Sequence, residues 1–310
     1  MRLCRFDDAG TDRVAFYTEE QIIPLAAAAA ACGVSLEDNG CLQPFLSCGS
    51  ERATVQDLEQ KCLALSDEDR AGISIATDSA QLLVPIPNPT KLMFLAGNYS
   101  KHIEEGGGRA EEQSKTFPYV FMKPALTTLT HPGNPVKIPA ISPDHIDWEL
   151  ELGVIIGKQC KGVSAADALD YVAGYTVIND ISDRQFKPNS DRNERDKDGF
   201  FDWLHGKWHD TFCPAGPCVV PADEQTDPQT MSLNLKVNGE VEQDGSTSEM
   251  IFPVTAIVEF ISSFVTLEPG DIIATGTTAG VGAAKNKYLK PGDVLEAEIE
   301  GIGVLRNPVE

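Results

Sequence analysis

Within this 310-residue chain, the residues best suited to chemistry sit in Trp148-Glu149-Leu150-Glu151-Leu152-Gly153-Val154-Ile155-Ile156-Gly157. The run reads as a β-strand, on which successive side chains alternate faces. Glu149 and Glu151 then point one way, and Leu150, Leu152 and Val154 the other. Two carboxylates close together on a half-buried strand repel each other unless a cation lies between them or one keeps its proton. A second strand-like run, Gly174-Tyr175-Thr176-Val177-Ile178-Asn179, ends at a third carboxylate, Asp180. Three carboxylates on rigid elements suit a hard cation, Mg²⁺ or Mn²⁺, with water positions left open. The same Glu-x-Glu pattern also occurs on solvated strand faces, so the metal reading depends on what accompanies it.

Three other features accompany it. His102 and Glu105 are three apart in a helix-like stretch, close enough to hydrogen-bond on one face. A carboxylate that fixes the tautomer of a histidine makes a general-base unit, although exposed His–Glu pairs are also common on helix surfaces. Lys207 lies among aromatic residues in His205-Gly206-Lys207-Trp208-His209-Asp210. Desolvated there, it would offset an oxyanion or enolate; in water it would be an ordinary lysine. The turn Thr275-Gly276-Thr277-Thr278-Ala279-Gly280-Val281-Gly282 offers hydroxyls and backbone N–H groups to a carboxylate or carbonyl, or is simply a glycine-rich turn. Zinc is disfavoured at Cys213 and Cys218, which lack ligand spacing, and at His205 and His209, where Gly206 follows and no intervening glutamate is present.

The elements that must position these groups are mostly strands. Strand patterns cover Leu92–Leu95, Tyr119–Lys123, Glu149–Ile156, Gly174–Asn179, Cys218–Val220, Leu233–Val237, Asp271–Thr275 and Val294–Ile299. Asn238-Gly239 between two alternating runs marks a type I′ hairpin. Helices are expected over Ser164–Val172, with a serine N-cap, and over Pro253–Phe264, with proline in the first turn. Residues 1–85 read as a small separate unit with an alanine-rich helix within Ile22–Cys32 and a charged helix around Asp57–Leu65. Pro85-Ile86-Pro87-Asn88-Pro89-Thr90 is a linker, and residues 86–310 form the larger domain. Gly106-Gly107-Gly108 and the charged insertion 187–209 read as mobile lids or binding loops. Strands with few helices point to an α+β, β-rich chain with a mixed β-roll rather than a doubly wound sheet. No dinucleotide fingerprint or P-loop is present.

Composition narrows the function. The formal charge is −22, from 25 basic and 47 acidic residues. That argues against nucleic acid and anionic membranes as partners. The longest apolar run, Ile22–Cys32, is too short to span a bilayer and begins too late for a signal peptide. A cytoplasmic location is expected, with the eight cysteines as reduced thiols.

The chain resembles the fumarylacetoacetate hydrolase family. The resemblance rests on Ala96-Gly97-Asn98-Tyr99-Ser100-Lys101-His102, Phe121-Met122-Lys123-Pro124, Glu149–Gly153, Gly174–Asp180, Asp210–Pro214, Leu235–Gly239, Ser248–Phe252 and Thr275–Gly282, in family order over residues 91–310. It implies a β-roll catalytic domain, here behind a small N-terminal α/β domain like that of the longer members, usually as a homodimer. It implies Glu149, Glu151 and Asp180 as ligands of Mg²⁺, or of Mn²⁺ or Ca²⁺. It further implies a water-activating pair, His102 and Glu105, on a closing lid, and a catalytic lysine, Lys207. Asn98, Tyr99, Lys123, Arg184 and Thr277 are the expected substrate contacts. Gly97, Thr278 and Lys187 depart from the residues usual in relatives, and they touch the substrate pocket more than the metal.

The expected activity is metal-dependent hydrolysis of a carbon–carbon bond in a β-diketo acid of the acylpyruvate or 2,4-dioxo type, a small oxo acid. Oxo-acid decarboxylase, hydroxymuconate-type isomerase or ureidoglycolate lyase activity could use the same site. A binding protein without catalysis is the alternative of another class.

Overall fold

The computed structural model describes residues 1–225 and 227–310. The chain opens with β1 (Leu3–Asp8), β2 (Thr11–Tyr17), β3 (Gln21–Pro24), α1 (Leu25–Cys32), α2 (Arg52–Leu63), α3 (Asp67–Gly72), β4 (Ile75–Ala76) and β5 (Gln81–Leu83). Next come β6 (Leu92–Ala96), α4 (Ser100–Glu105), β7 (Tyr119–Met122), α5 (Ala125–Thr128), β8 (Leu129–Thr130) and β9 (Ile146–Asp147). The central part holds β10 (Leu150–Ile156), β11 (Val172–Asn179), β12 (Ser182–Asp183), α6 (Asp198–His205) and β13 (Cys213–Pro221). Last are β14 (Ser232–Val237), β15 (Glu240–Ser246), α7 (Val254–Phe264), β16 (Ile272–Thr277), α8 (Gly282–Lys285), β17 (Val294–Ile299) and β18 (Gly303–Pro308).

The fold is α+β and β-rich. One large mixed sheet runs β4-β3-β2-β1-β13-β11-β10-β16-β6-β7, with β5 beside β1 and β8 beside β13. A second sheet, β15-β14-β17-β18, packs on it. β10 and β11 lie at the centre and are buried along their whole length. Leu150, Leu152 and Val154 face one apolar core and Ile155 faces another, on the opposite side of the sheet. Packing on both faces leaves no room at Gly153, where a Cβ would lie 2.7 Å from Ile178 Cγ1. Helix α7 buries Val254, Ile257, Val258 and Ile261; each such side chain contributes about 1.5–3 kcal/mol when fully buried. Asn238 (φ 52°) and Gly239 (φ 81°) make the β14–β15 turn, both in the left-handed region that a type I′ hairpin demands.

Several local expectations are corrected. Ser164–Val172 is not an α-helix. Ser164 Oγ bonds Asp167 Oδ2 at 2.7 Å, only Ala168–Tyr171 form a 3-10 turn, and Val172 already starts β11. Central-sheet pairing of β-branched Val172 outweighs the local cap. Pro253 is the N-cap of α7 rather than a first-turn residue. The apolar run Ile22–Cys32 splits at Pro24, which ends β3 and caps α1. The insertion 187–209 is not irregular throughout, because it contains α6. The strand carrying Glu151 is buried on both faces, not half-buried, and Glu149 precedes it. Among the described residues no helix is long and apolar enough to cross a membrane.

Candidate active site

Antiparallel pairing of β10 with β11 sets Leu150 opposite Asn179. Glu149 and Glu151 at the start of one strand therefore meet Asp180, just past the end of the other. Two bonds pin the corner: Asp180 N–H donates to Glu149 O at 2.8 Å, and Glu149 N–H donates to Asn179 Oδ1 at 3.0 Å. The three carboxylates are buried, and each offers an oxygen within 4.8 Å of the others.

Cations surround the group unevenly. Lys207 Nζ donates to Glu149 Oε2 at 2.8 Å and to Asp180 Oδ2 at 2.7 Å. Lys123 Nζ donates to Asp180 Oδ1 at 2.6 Å and to the carbonyls of Ile181 and Phe212. Arg184 spans Asp147 (Nε to Oδ2, 2.7 Å) and Glu149 (Nη1 to Oε1, 2.6 Å). Burial raises the Glu149 pKa, but Lys207, Arg184 and His102 outweigh it and hold the carboxyl well below its usual range. Burial works to strip the Lys207 proton, and Asp180 and Glu149 hold it on. Among the described residues no cation bonds Glu151. Its Oε2 accepts from Gly276 N–H at 2.7 Å, while Oε1 is buried without a partner. Burial, Asp180 and Glu149 together push its pKa well above the ordinary carboxylate range.

An orphaned, buried carboxylate oxygen beside two more carboxylates, in an all-oxygen donor set, fits a hard divalent cation. Lys207 touches two of these acids, so its ammonium and a cation would share the negative charge.

Above the carboxylates is a cavity of about 170 Å³, whose polar lining is His102, Glu149, Arg184, Lys207 and Thr277. His102 and Glu105 lie one turn apart on α4, with Nδ1 and Oε1 separated by 2.8 Å. The other oxygen of Glu105 accepts from Gly280 N–H at 2.8 Å, which ties α4 to the turn after β16. Lys207 approaches the ring of Phe121 at 5.5 Å and that of Trp203 at 6.0 Å, so aromatic faces desolvate it.

The expected substrate contacts divide in two. Arg184 and Thr277 line the cavity. Asn98, Tyr99 and Lys123 stand behind it. The Asn98 amide donates to the Phe252 and Thr275 carbonyls and accepts from Phe252 N–H. Tyr99 is fully buried. His205 and His209 are not brought together: His205 packs on Phe201 and Trp208, and His209 lies between Phe186 and Phe212. Cys213 and Cys218 are free and lie in different cores.

Sequence reasoning missed Asp147, Gln243, Phe121 and Trp203. Asp147 takes Gly282 N–H, Ala283 N–H and Arg184; the alternation Asp147, Glu149, Glu151 was its available signal. Gln243 accepts from Leu150 N–H and donates to Thr277 and Thr278. Nothing along its mostly polar strand marks it, because it is buried only when the two sheets dock.

Residues 91–310 match the family described as fumarylacetoacetate (FAA) hydrolase C-terminal. The mitochondrial oxaloacetate tautomerase fahd2 of Xenopus laevis is 34% identical over 285 residues, 89% of this chain and 85% of its own. The 2,4-didehydro-3-deoxy-L-rhamnonate hydrolase of Sphingomonas sp. (strain SKA58) is 40% identical over 249 residues, 79% of this chain and 82% of its own. Among solved structures, maleylpyruvate hydrolase from Sphingobium sp. SYK-6, in complex with manganese (II) ion and pyruvate, superposes with a TM-score of 0.73 at 28% identity. That match covers 100% of this chain and 98% of the other.

Proposed function

The chain belongs to the fumarylacetoacetate hydrolase family, and from that premise we propose that it is a divalent-metal-dependent hydrolase. Its substrate is a 2,4-dioxo acid, and it cleaves the bond between C3 and C4. The observation that carries this reading is that His102, paired with Glu105, lines the same cavity as Glu149, Arg184 and Lys207. A simple enolate-stabilising site has no need of a base that activates water.

Glu149, Glu151 and Asp180 would hold Mg²⁺, with Mn²⁺ or Ca²⁺ as substitutes, and the ion supplies Lewis acidity toward the 2-oxo acid end. Glu105, steadied by Gly280 N–H, keeps the second nitrogen of His102 free to take a proton from water. The hydroxide adds to the C4 carbonyl. The C3–C4 bond then breaks, its electron pair stays on the three-carbon fragment, and C4 leaves as a carboxylic acid. Lys207 and Arg184 offset the charge on that fragment. The proton held on His102 goes to C3, which yields pyruvate.

The test is turnover of acetylpyruvate with Mg²⁺ and with EDTA, in water enriched in oxygen-18. Metal-dependent loss of the diketone with label in the released acid is the expected result. His102→Asn should lower kcat by roughly 10²–10⁴-fold while Mn²⁺ affinity is kept. Full activity of that variant sinks the reading.

A second reading is favoured by the likeness to an oxaloacetate tautomerase over 89% of the chain. There His102 would only move a proton between C3 and the enol oxygen of oxaloacetate. Faster enol–keto exchange of oxaloacetate, with no acylpyruvate cleaved, would select it.

A further inference from the structure

Asp147 comes shortly before Glu149 in the chain, and we infer that it is a positioning residue: its carboxylate fixes Arg184 relative to the turn that anchors the base. This rests on the reading of Arg184 as a group that meets the substrate. β9 pairs antiparallel with β12, which sets Asp147 opposite Ser182 and diagonal to Arg184. The backbone N–H of Arg184 donates to the His145 carbonyl at 3.0 Å and extends that pairing. Asp147 is fully buried, and both its oxygens are satisfied. Oδ1 accepts from Trp148 N–H at 2.8 Å and Gly282 N–H at 2.7 Å. Oδ2 accepts from Ala283 N–H at 3.0 Å and from Arg184 Nε at 2.7 Å. At Gly282 a Cβ would lie 2.7 Å from Asp147 Oδ1 and 2.0 Å from the Lys287 carbonyl oxygen, so only glycine lets the backbone come this close.

The turn held in this way carries Gly280. Trp148 Nε1 donates to the Gly280 carbonyl at 3.2 Å, and Gly280 N–H is the donor to Glu105. From Asp147 one path thus leads to Arg184, and another leads through Gly282 and Gly280 to Glu105 and His102. The guanidinium has little freedom. Asp147 holds Nε, and Nη1 lies 2.6 Å from Glu149 Oε1. Nη2 is buried and, among the described residues, has no acceptor. Two charge-assisted bonds fix the plane of the fork, whereas a single one leaves it free to turn. Without Asp147 the arginine would keep Glu149 as its one anchor.

Asp147→Asn keeps the size and one acceptor. The backbone holds Trp148 N–H and Gly282 N–H in place, so the oxygen stays with them and the amide faces Ala283 N–H and Arg184. A donor then meets donors, and Arg184, the movable partner, is released. Nitrogen-15 arginine labelling reads this directly. The Arg184 Nε–H signal, assigned by its absence in Arg184→Gln, should exchange with solvent about tenfold or more faster in Asp147→Asn. This readout needs neither metal nor substrate, and unchanged exchange overturns the inference. In calorimetry at saturating Mn²⁺, Asp147→Asn should bind pyruvate roughly tenfold or more weakly. The double variant Asp147→Asn/Arg184→Gln should bind it no more weakly than Arg184→Gln alone. Losses that multiply in the double variant would mean that Asp147 acts on binding by a route other than Arg184, and would also overturn the inference. Asp147→Ser removes the charge without setting an amide against Ala283 N–H. It serves if the asparagine variant does not fold, and it should show the same faster exchange and weaker binding. A wild type that binds no pyruvate would sink the oxo-acid reading, and the exchange rates would still decide whether Asp147 holds Arg184.

Discussion

At Glu151 burial and two neighbouring carboxylates act in the same direction, while Gly276 N–H is the one donor bonded to it. Lys207 shows the opposite balance: burial opposes its charge, and Asp180 and Glu149 restore it. A lysine held protonated in this way is a charge stabiliser and a poor base. Glu151→Gln should therefore weaken Mn²⁺ binding by more than the roughly 10–100-fold typical of residues that only support a ligand. Thermal stability without metal should hold or rise, because a buried, uncompensated carboxyl is removed. Calorimetric titration with Mn²⁺ and a melting curve measure both; undiminished Mn²⁺ affinity would take Glu151 out of the ligand set.

Two strands and one amide decide how the carboxylates are aimed. The register of β10 against β16 shifts between Glu151 and Gly153. Beside that irregularity Gln243, on the other sheet, bonds Leu150 N–H at 2.9 Å and Thr277 Oγ1 at 2.8 Å. Leu150 lies between the two glutamates, so Gln243 braces both. Gln243→Leu removes an acceptor and a donor that buried groups depend on. It should cost about 1–3 kcal/mol in urea unfolding and lower Mn²⁺ affinity by roughly 10–100-fold. A loss of stability with unchanged affinity would reduce Gln243 to a purely structural brace. Helix α6 acts at the same scale, since it carries Trp203 to the cavity from a segment whose charge pattern reads as loop.

Across the whole molecule, the strands of residues 1–85 join the large sheet through β1, where Leu3 pairs with Val219 of β13. His131 sits at this junction. Its Nδ1 accepts from Val84 N–H at 2.9 Å, its carbonyl accepts from Asn307, and Arg5 bonds the Val84 carbonyl. Burial and then Arg5 lower the His131 pKa from its ordinary 6.5, with Asp12 opposing. The unfolded chain thus binds the proton more readily than the folded one. The contribution is complete above the unfolded value of about 6.5 and is lost as pH falls through the folded one. His131→Asn keeps an acceptor for Val84 N–H and removes the titration. Melting temperatures measured from about pH 7.5 down to 5 should fall less steeply in the variant than in the wild type. Parallel curves would mean that His131 carries none of the acid sensitivity.

Local chemistry was legible in the residues themselves. The β10 and β11 runs, the Asn238-Gly239 hairpin and the presence of α7 follow from residue pattern and turn chemistry, which act over a few residues. The carboxylates Glu149, Glu151 and Asp180 were visible because two of them alternate along one strand-like run and the third closes another. Tertiary structure alone decided which groups face them. Gln243 lies 93 positions from Leu150, and Trp203 reaches the cavity on an unforeseen helix. The cap at Ser164 lost to sheet pairing at Val172 for the same reason. Period and capping are properties of neighbours along the chain. Burial, charge balance and cavity shape belong to neighbours in space, and they exist only once the sheets have docked.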